Sequence, residues 1–395
     1  MSVRDDGESP ILFEPLVVSD VVLRSNLNDL ALSLAEKSAA FSSSLPPAIA
    51  DALADLVRTV NCYYDLLIEG RNIQPVDVQQ AILGNFRDDN ERRDVQLEAL
   101  AYVAVQRWID NEDASPFSLK NICETHWRFY KALAQGLLLS TGENAETANA
   151  KPGALRTCDV RVGHRTAISP GAVPRFLTHM EETYDSGGRI DRILASAYGH
   201  HRLLWVQPFP EGNGRIARLL SHRALRSVLR TDGLWSVVRG LALRKREYRT
   251  LLQSCDEPSQ AAVSREERGP LSEGAFADFT RFFIETCIDQ IDFMSEIIQP
   301  HSLRGRALTW VQHEIKAGQL PRGAEMVVNA ILYRGELDRG EVAILARASD
   351  RSARRVTAAL IKSGVVTAES SRSTLRLSFP AGLAVRFFPE LFPGD

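Results

Sequence analysis

The stretch Gln207-Pro208-Phe209-Pro210-Glu211-Gly212-Asn213-Gly214-Arg215-Ile216-Ala217-Arg218 constrains this chain more than any other. Two prolines and two glycines set a loop. From Arg215 onward, apolar residues recur at Ile216, Leu219, Leu220, Leu225, Val228 and Leu229, which predicts a helix with one core-facing side. Arg215, Arg218 and His222 fall on the other side, because positions three and four apart are neighbours. A glycine-flanked helix start presents free N–H groups and a positive dipole end, which suits an anion. Two arginines in the first turn conflict with that dipole, and a bound polyphosphate would offset the conflict. Glu211 offers a carboxylate to a divalent cation beside the phosphate. A polar turn with solvated arginines is the alternative.

The 395 residues invite two or three domains. The net charge of −3 excludes a chain that binds nucleic acid through overall charge, so any such surface is local. Cys62, Cys123, Cys158, Cys255 and Cys287 are scattered without metal or redox spacing, which predicts reduced thiols in a cytoplasmic protein. The first residues lack the layout of a signal peptide. No apolar run approaches the roughly 18–20 residues of a membrane span.

Residues 1–26 read as an arm with strand-like patches at Leu16-Val17-Val18 and Val21-Val22-Leu23, followed by a helix over 27–40. A second helix follows Pro46, with a core stripe from Leu53 to Ile68, and ends at Glu69-Gly70. A glutamate at that end is unfavourable unless it meets a cation; otherwise it is an exposed residue before a helix-ending glycine. Helices are expected at 91–110 (stripe Leu97, Leu100, Ala101, Val103, Ala104, Trp108) and 115–138. A hairpin is expected near Val160 and Val162, and further helices at 174–184 and 189–204. His200 and His201 read as structural. Helices continue to 299, with a loop over 257–271. Residues 323–379 resemble a winged helix-turn-helix, with helices at 341–348 and 351–363 and a hairpin at 365–377. Arg347, Arg351, Arg354, Arg355, Lys362 and Arg372 make it locally basic, which fits DNA phosphates or a protein surface.

The 207–218 stretch resembles the Fic signature HPFx[D/E]GN[G/K]RxxR, matching at Pro208, Phe209, Glu211, Gly212, Asn213, Gly214, Arg215 and Arg218. The resemblance implies a mainly α fold: a Fic/Fido helical core with a β-hairpin flap, joined here to the C-terminal winged helix. The expected divisions are 1–84, 85–300, 301–322 and 323–395. It also implies transfer of AMP from Mg²⁺·ATP to a hydroxyl of a target protein. Glu211 would bind the metal, and Gly212, Asn213 and Gly214 would cradle phosphate. Arg215 and Arg218 would contact phosphate, and the hairpin at 153–165 would hold the target as an added strand. The segment ending Ile68-Glu69-Gly70 is similar to the family's N-terminal inhibitory helix, [S/T]xxxE[G/N]. There Glu69 would pair with Arg218. Asp65 departs from the Ser/Thr of that motif and adds a charge near Glu69.

One departure concerns the chemistry. Gln207 stands where the family has its catalytic histidine. Histidine titrates near neutrality, whereas glutamine has no basic nitrogen. The expectations are therefore an impaired, autoinhibited transferase or an ATP-binding pseudoenzyme that regulates through the winged helix.

Overall fold

A computed structural model describes residues 3–133, 151–163, 165–231, 233–258 and 271–393. The protein is mainly helical. The N-terminal part comprises α1 (Val21–Ser43), α2 (Pro47–Ile68), α3 (Pro75–Ile82), α4 (Asn90–Asn111) and α5 (Leu119–Lys131). A short antiparallel hairpin, β1 (Arg161–Val162) and β2 (Arg165–Thr166), precedes α6 (Val173–Tyr184), α7 (Arg189–Val206) and α8 (Asn213–Leu229). Then come α9 (Val237–Leu243), α10 (Lys245–Ser254) and α11 (Glu273–Ile297).

Helices α7 and α8 pack together around the signature loop that joins them. Helices α4 and α5 cover α8, while α1, α6 and α11 cover α7. Helix α2 lies against α4 and α9, which brings its C-terminal end to the signature.

The final third holds α12 (Pro300–Lys316), α13 (Ala324–Arg334), α14 (Glu341–Leu345), α15 (Asp350–Lys362) and α16 (Ala381–Phe387). Strands β3 (Glu336–Leu337), β4 (Val366–Thr367) and β5 (Leu375–Leu377) form an antiparallel sheet in the order β3-β5-β4. Ser349 caps α15 by accepting from the Ser352 N–H, as its place in the turn suggests. The chain then runs back over the N-terminal helices. Tyr64 donates to the Leu391 carbonyl (3.0 Å), and the Tyr63 and Phe392 rings meet edge-on at 5.4 Å.

Four expectations need correction. Val21-Val22-Leu23 is not strand-like but opens α1, because Asp20 caps the helix by accepting from the Val22 and Leu23 N–H groups. That local bond overrides a β-branched pair whose strand preference has no partner strand. The α4 stripe is also displaced. Ala101 and Val103 are buried, but Leu97, Leu100 and Trp108 are half-buried and Ala104 is exposed. Polar Glu98, Gln106 and Asp110 are buried instead, because α4 faces the arginine-bearing side of α8, and Gln96 is buried against the segment after α3. The side of α8 expected to be polar is therefore interior. Finally, α5 starts later than expected, at Leu119, and its described helix runs to Lys131. The expected helix end beyond 133, most of the 140–151 connection and most of the 257–271 loop lie outside the described residues.

Asp110 shows how the interior charges are matched. It accepts from Arg58 Nε (2.7 Å) and meets His222 Nε2 at 3.0 Å. Burial works against its ionisation, but His222 and Arg58 prevail and bring its pKa down to about 2. All five cysteines are free, with Cys62, Cys255 and Cys287 buried. No helix among the described residues is long and apolar enough to cross a membrane.

Candidate functional site

The loop between α7 and α8 is shaped by two left-handed residues. Gln207 ends α7 at φ 52°, and Gly212 precedes α8 at φ 76°. A Cβ on Gly212 would lie 2.1 Å from the Tyr130 hydroxyl, so both conformation and space require glycine. Gly212→Ala is therefore expected to destabilise the fold by about 1–3 kcal/mol through backbone strain and crowding, read in thermal or urea unfolding. Stability within error of the parent would contradict this packing.

Asn213 closes the loop on itself. Its Oδ1 accepts from the Phe209 N–H (3.0 Å), and its Nδ2 donates to the Phe209 carbonyl (2.8 Å). Its side chain is thus committed to shaping the loop. That leaves only backbone groups at Gly212, Asn213 and Gly214 for the phosphate contact expected of them. Arg156, which sequence reasoning did not single out, fastens the other side. Its guanidinium donates to the carbonyls of Gln207 (2.6 Å), Ile168 (2.6 Å) and Cys158 (3.0 Å), and its N–H donates to Pro208 (2.9 Å). His126 stacks on Phe209 at 3.8 Å and on Tyr130 at 4.4 Å, and its Nδ1 accepts from the Gly153 N–H. Burial pushes the His126 pKa down to about 3. It stays neutral and serves as a rigid wall.

The two signature arginines are buried and already matched. Arg215 Nε donates to Asp65 Oδ2 (3.0 Å), and its Nη2 donates to Glu98 Oε2 (3.3 Å). Arg218 Nε donates to Asp65 Oδ1 (2.6 Å), and its Nη2 donates to Glu69. The Glu69–Arg218 contact implied by the resemblance is present, but sequence reasoning missed the carboxylate that both arginines share. Asp65 is fully buried and bridges both arginines. Glu98 is shared with Arg71 Nη2 at 3.0 Å. Three carboxylates offset the two cations at the start of α8.

The end of α2 holds Glu69 in place. Gly70, at φ 81°, reverses the chain so that the Arg71 N–H reaches the Leu66 carbonyl (2.8 Å), and Lys245 Nζ donates to the Leu67 carbonyl (3.2 Å). Burial opposes the Glu69 charge, but Arg218 overcomes it and holds the carboxyl below its usual range. Glu69 Oε1 lies 3.3 Å from where a Cβ on Gly214 would stand, so the carboxylate covers the glycine turn.

Gln207 turns its side-chain amide back to the Leu204 carbonyl (2.7 Å). His200 and His201 do not replace a base. His200 is enclosed by Ser221 (2.8 Å) and Tyr248 (2.6 Å), and burial lowers its pKa to about 3. His201 faces Asp256 at 3.2 Å, yet burial still lowers its pKa to about 4. Glu211 is half-buried beside the glycines. No cluster of three or more His, Cys, Asp or Glu suited to a metal occurs among the described residues. One carboxylate still fits Mg²⁺, which usually keeps waters and shares phosphate oxygens.

A family model described as Fic/DOC family matches residues 116–225. Those residues form a Fic/DOC domain. The domain runs from just before α5 into α8 and contains the whole signature loop. The protein adenylyltransferase fic-1 of Caenorhabditis elegans is 34% identical over 110 residues, covering 27% of this chain and 20% of that protein. The fic-1 of Caenorhabditis briggsae matches to the same extent. The chain thus spans about a fifth of the length of these curated relatives.

Solved structures share the fold. A Fic family protein from Desulfovibrio desulfuricans G20 superposes with TM-score 0.53 at 15% identity, over 93% of this chain and 98% of that one. A Fic-domain-containing signaling protein from Bacteroides thetaiotaomicron gives 0.51 at 17%, over 68% and 96%. Fic-1 of C. elegans gives 0.51 at 18%, over 70% and 74%.

Proposed function

We propose that this chain is a protein adenylyltransferase scaffold that binds Mg²⁺·ATP, is autoinhibited by Glu69, and transfers AMP slowly because Gln207 replaces the base. The observation that carries this reading is the junction of Glu69 with Arg218 across the sequence, directly over the glycine turn. Among the curated relatives, fic-1 is named a protein adenylyltransferase.

In this reading Gly212, Asn213 and Gly214 offer backbone N–H groups to phosphate, and Glu211 holds the metal, which would neutralise phosphate charge. Once freed, Arg218 and Arg215 face the terminal phosphates. The exposed β1 edge at Arg161 and Val162 suits a target segment added as a strand. The core is taken as 85–300, flanked by the inhibitory region 1–84, the linker 301–322 and the winged-helix part 323–395. The test is magnesium dependence. Glu211→Ala is expected to abolish the Mg²⁺ requirement for nucleotide binding, measured by calorimetry with and without the metal. Undiminished dependence would remove Glu211 as the ligand.

A second reading, an ATP-binding pseudoenzyme, has its own support. The C-terminal segment grips α2 next to Asp65 through Tyr64–Leu391 and Tyr63–Phe392, and Arg239 donates to the Leu391 and Glu390 carbonyls. Nucleotide occupancy at Arg218 and events in the C-terminal part therefore act on one helix. Arg347, Arg351, Arg354, Arg355, Lys362 and Arg372 are all exposed there, a surface suited to DNA phosphates or to an acidic protein partner.

A further inference from the structure

We propose that Asp65 is a second gating carboxylate that sets how much phosphate charge the site accepts. This rests on the nucleotide reading above. Asp65 and Glu69 lie one turn apart on α2, so both project toward α8. Their freedom differs. Glu69 sits at the helix end with a side chain 37% exposed, and it gives up one contact to Arg218 when it leaves. Asp65 lies inside the helix with no exposure, and each of its oxygens is held by a different arginine Nε.

Departure of Glu69 therefore frees only one edge of Arg218. Both Nε groups stay bound to Asp65, and Arg215 keeps Glu98 as well. Charge follows the same logic. Asp65, Glu69 and Glu98 balance Arg71, Arg215 and Arg218, so this six-residue cluster is neutral. Without Glu69 it gains one positive charge; without Asp65 as well it gains two. A triphosphate needs that second charge far more than a monophosphate does. A serine or threonine in place of Asp65, as the inhibitory motif has, would leave the Nε groups of both arginines available to phosphate. Asp65 acts on phosphate through the arginines, so it is a positioning residue.

The test compares Mg²⁺·ATP and AMP binding to the whole chain by calorimetry. The proteins are the parent, Glu69→Gly, Asp65→Asn and the double variant. Asparagine keeps the shape of Asp65 and removes its charge; Asp65→Ser, which trims the side chain, replaces it if the amide variant does not fold. Glu69→Gly alone is expected to raise ATP affinity by no more than about threefold, and the double variant by about a further tenfold to hundredfold, because a charge close to the phosphates is removed. AMP affinity is expected to change by less than about threefold, so the preference for ATP over AMP rises, which a general loosening of the fold would not produce. ATP binding by Glu69→Gly as tight as by the double variant would overturn the role of Asp65 while leaving the nucleotide site intact. An unchanged ATP-to-AMP ratio would do the same. Failure of every folded variant to bind either nucleotide would overturn the nucleotide reading itself.

Discussion

Gln207→His, placed in a chain released by Glu69→Gly and Asp65→Ser, is expected to raise AMP transfer by about 10²–10⁴-fold, the usual contribution of a positioned general base. That range corresponds to roughly 3–5 kcal/mol of barrier. The scaffold around position 207 is ready for the change. The residue stands at φ 52°, a conformation in which histidine is enriched several-fold among non-glycine residues. Its carbonyl is already fixed by Arg156 at 2.6 Å, so the substitution need not move the loop. The glutamine amide donates to the Leu204 carbonyl at 2.7 Å and performs no proton transfer. The nearby histidines do not compensate, because burial holds His200 and His201 neutral among their own partners. Single-turnover transfer of α-labelled AMP to protein measures the difference. Equal rates with glutamine and histidine would mean that another group accepts the proton.

Asp65→Ala is expected to cost about 3–5 kcal/mol of folding stability at neutral pH, because it removes the buried carboxylate that two guanidiniums share. Glu69→Ala is expected to cost less than about 1 kcal/mol, because its carboxylate is partly solvated and serves one partner. The contrast comes from position on the same helix. Asp65 is enclosed by Arg215 and Arg218, whereas Glu69 stands at the rim. Urea unfolding of the two variants beside the parent provides the comparison. Equal losses would contradict a buried keystone at Asp65.

What the sequence revealed was set by how local each feature is. The loop from Gln207 to Arg218 was legible because prolines, glycines and arginines at fixed offsets leave few conformations. The Glu69–Arg218 pair was legible only through the resemblance of Ile68-Glu69-Gly70 to the family's inhibitory helix, since a glutamate before a helix-ending glycine reads equally well as an exposed residue. In the sequence Asp65 stands out only as an added charge, although its spacing of four from Glu69 places both on one side of the chain. Glu98 was hidden because α4 was assigned an apolar stripe running through Leu97 and Leu100. The buried side of that helix is instead chosen by the arginines of α8, a tertiary fact that periodicity does not carry. Arg156 and His126 gave no signal either. They act through backbone carbonyls and ring stacking, which any arginine or histidine in a helical protein could offer.

In the proposed function the loop from Gln207 to Arg218 is a nucleotide site closed by Asp65 and Glu69. Calorimetric titration of Mg²⁺·ATP into the Asp65→Ser, Glu69→Gly chain, with Gln207 retained, tests it most directly. The expected result is one-to-one binding that is lost when Arg218→Ala is added. Absence of binding to the released, folded chain, or binding indifferent to Arg218, would contradict the account.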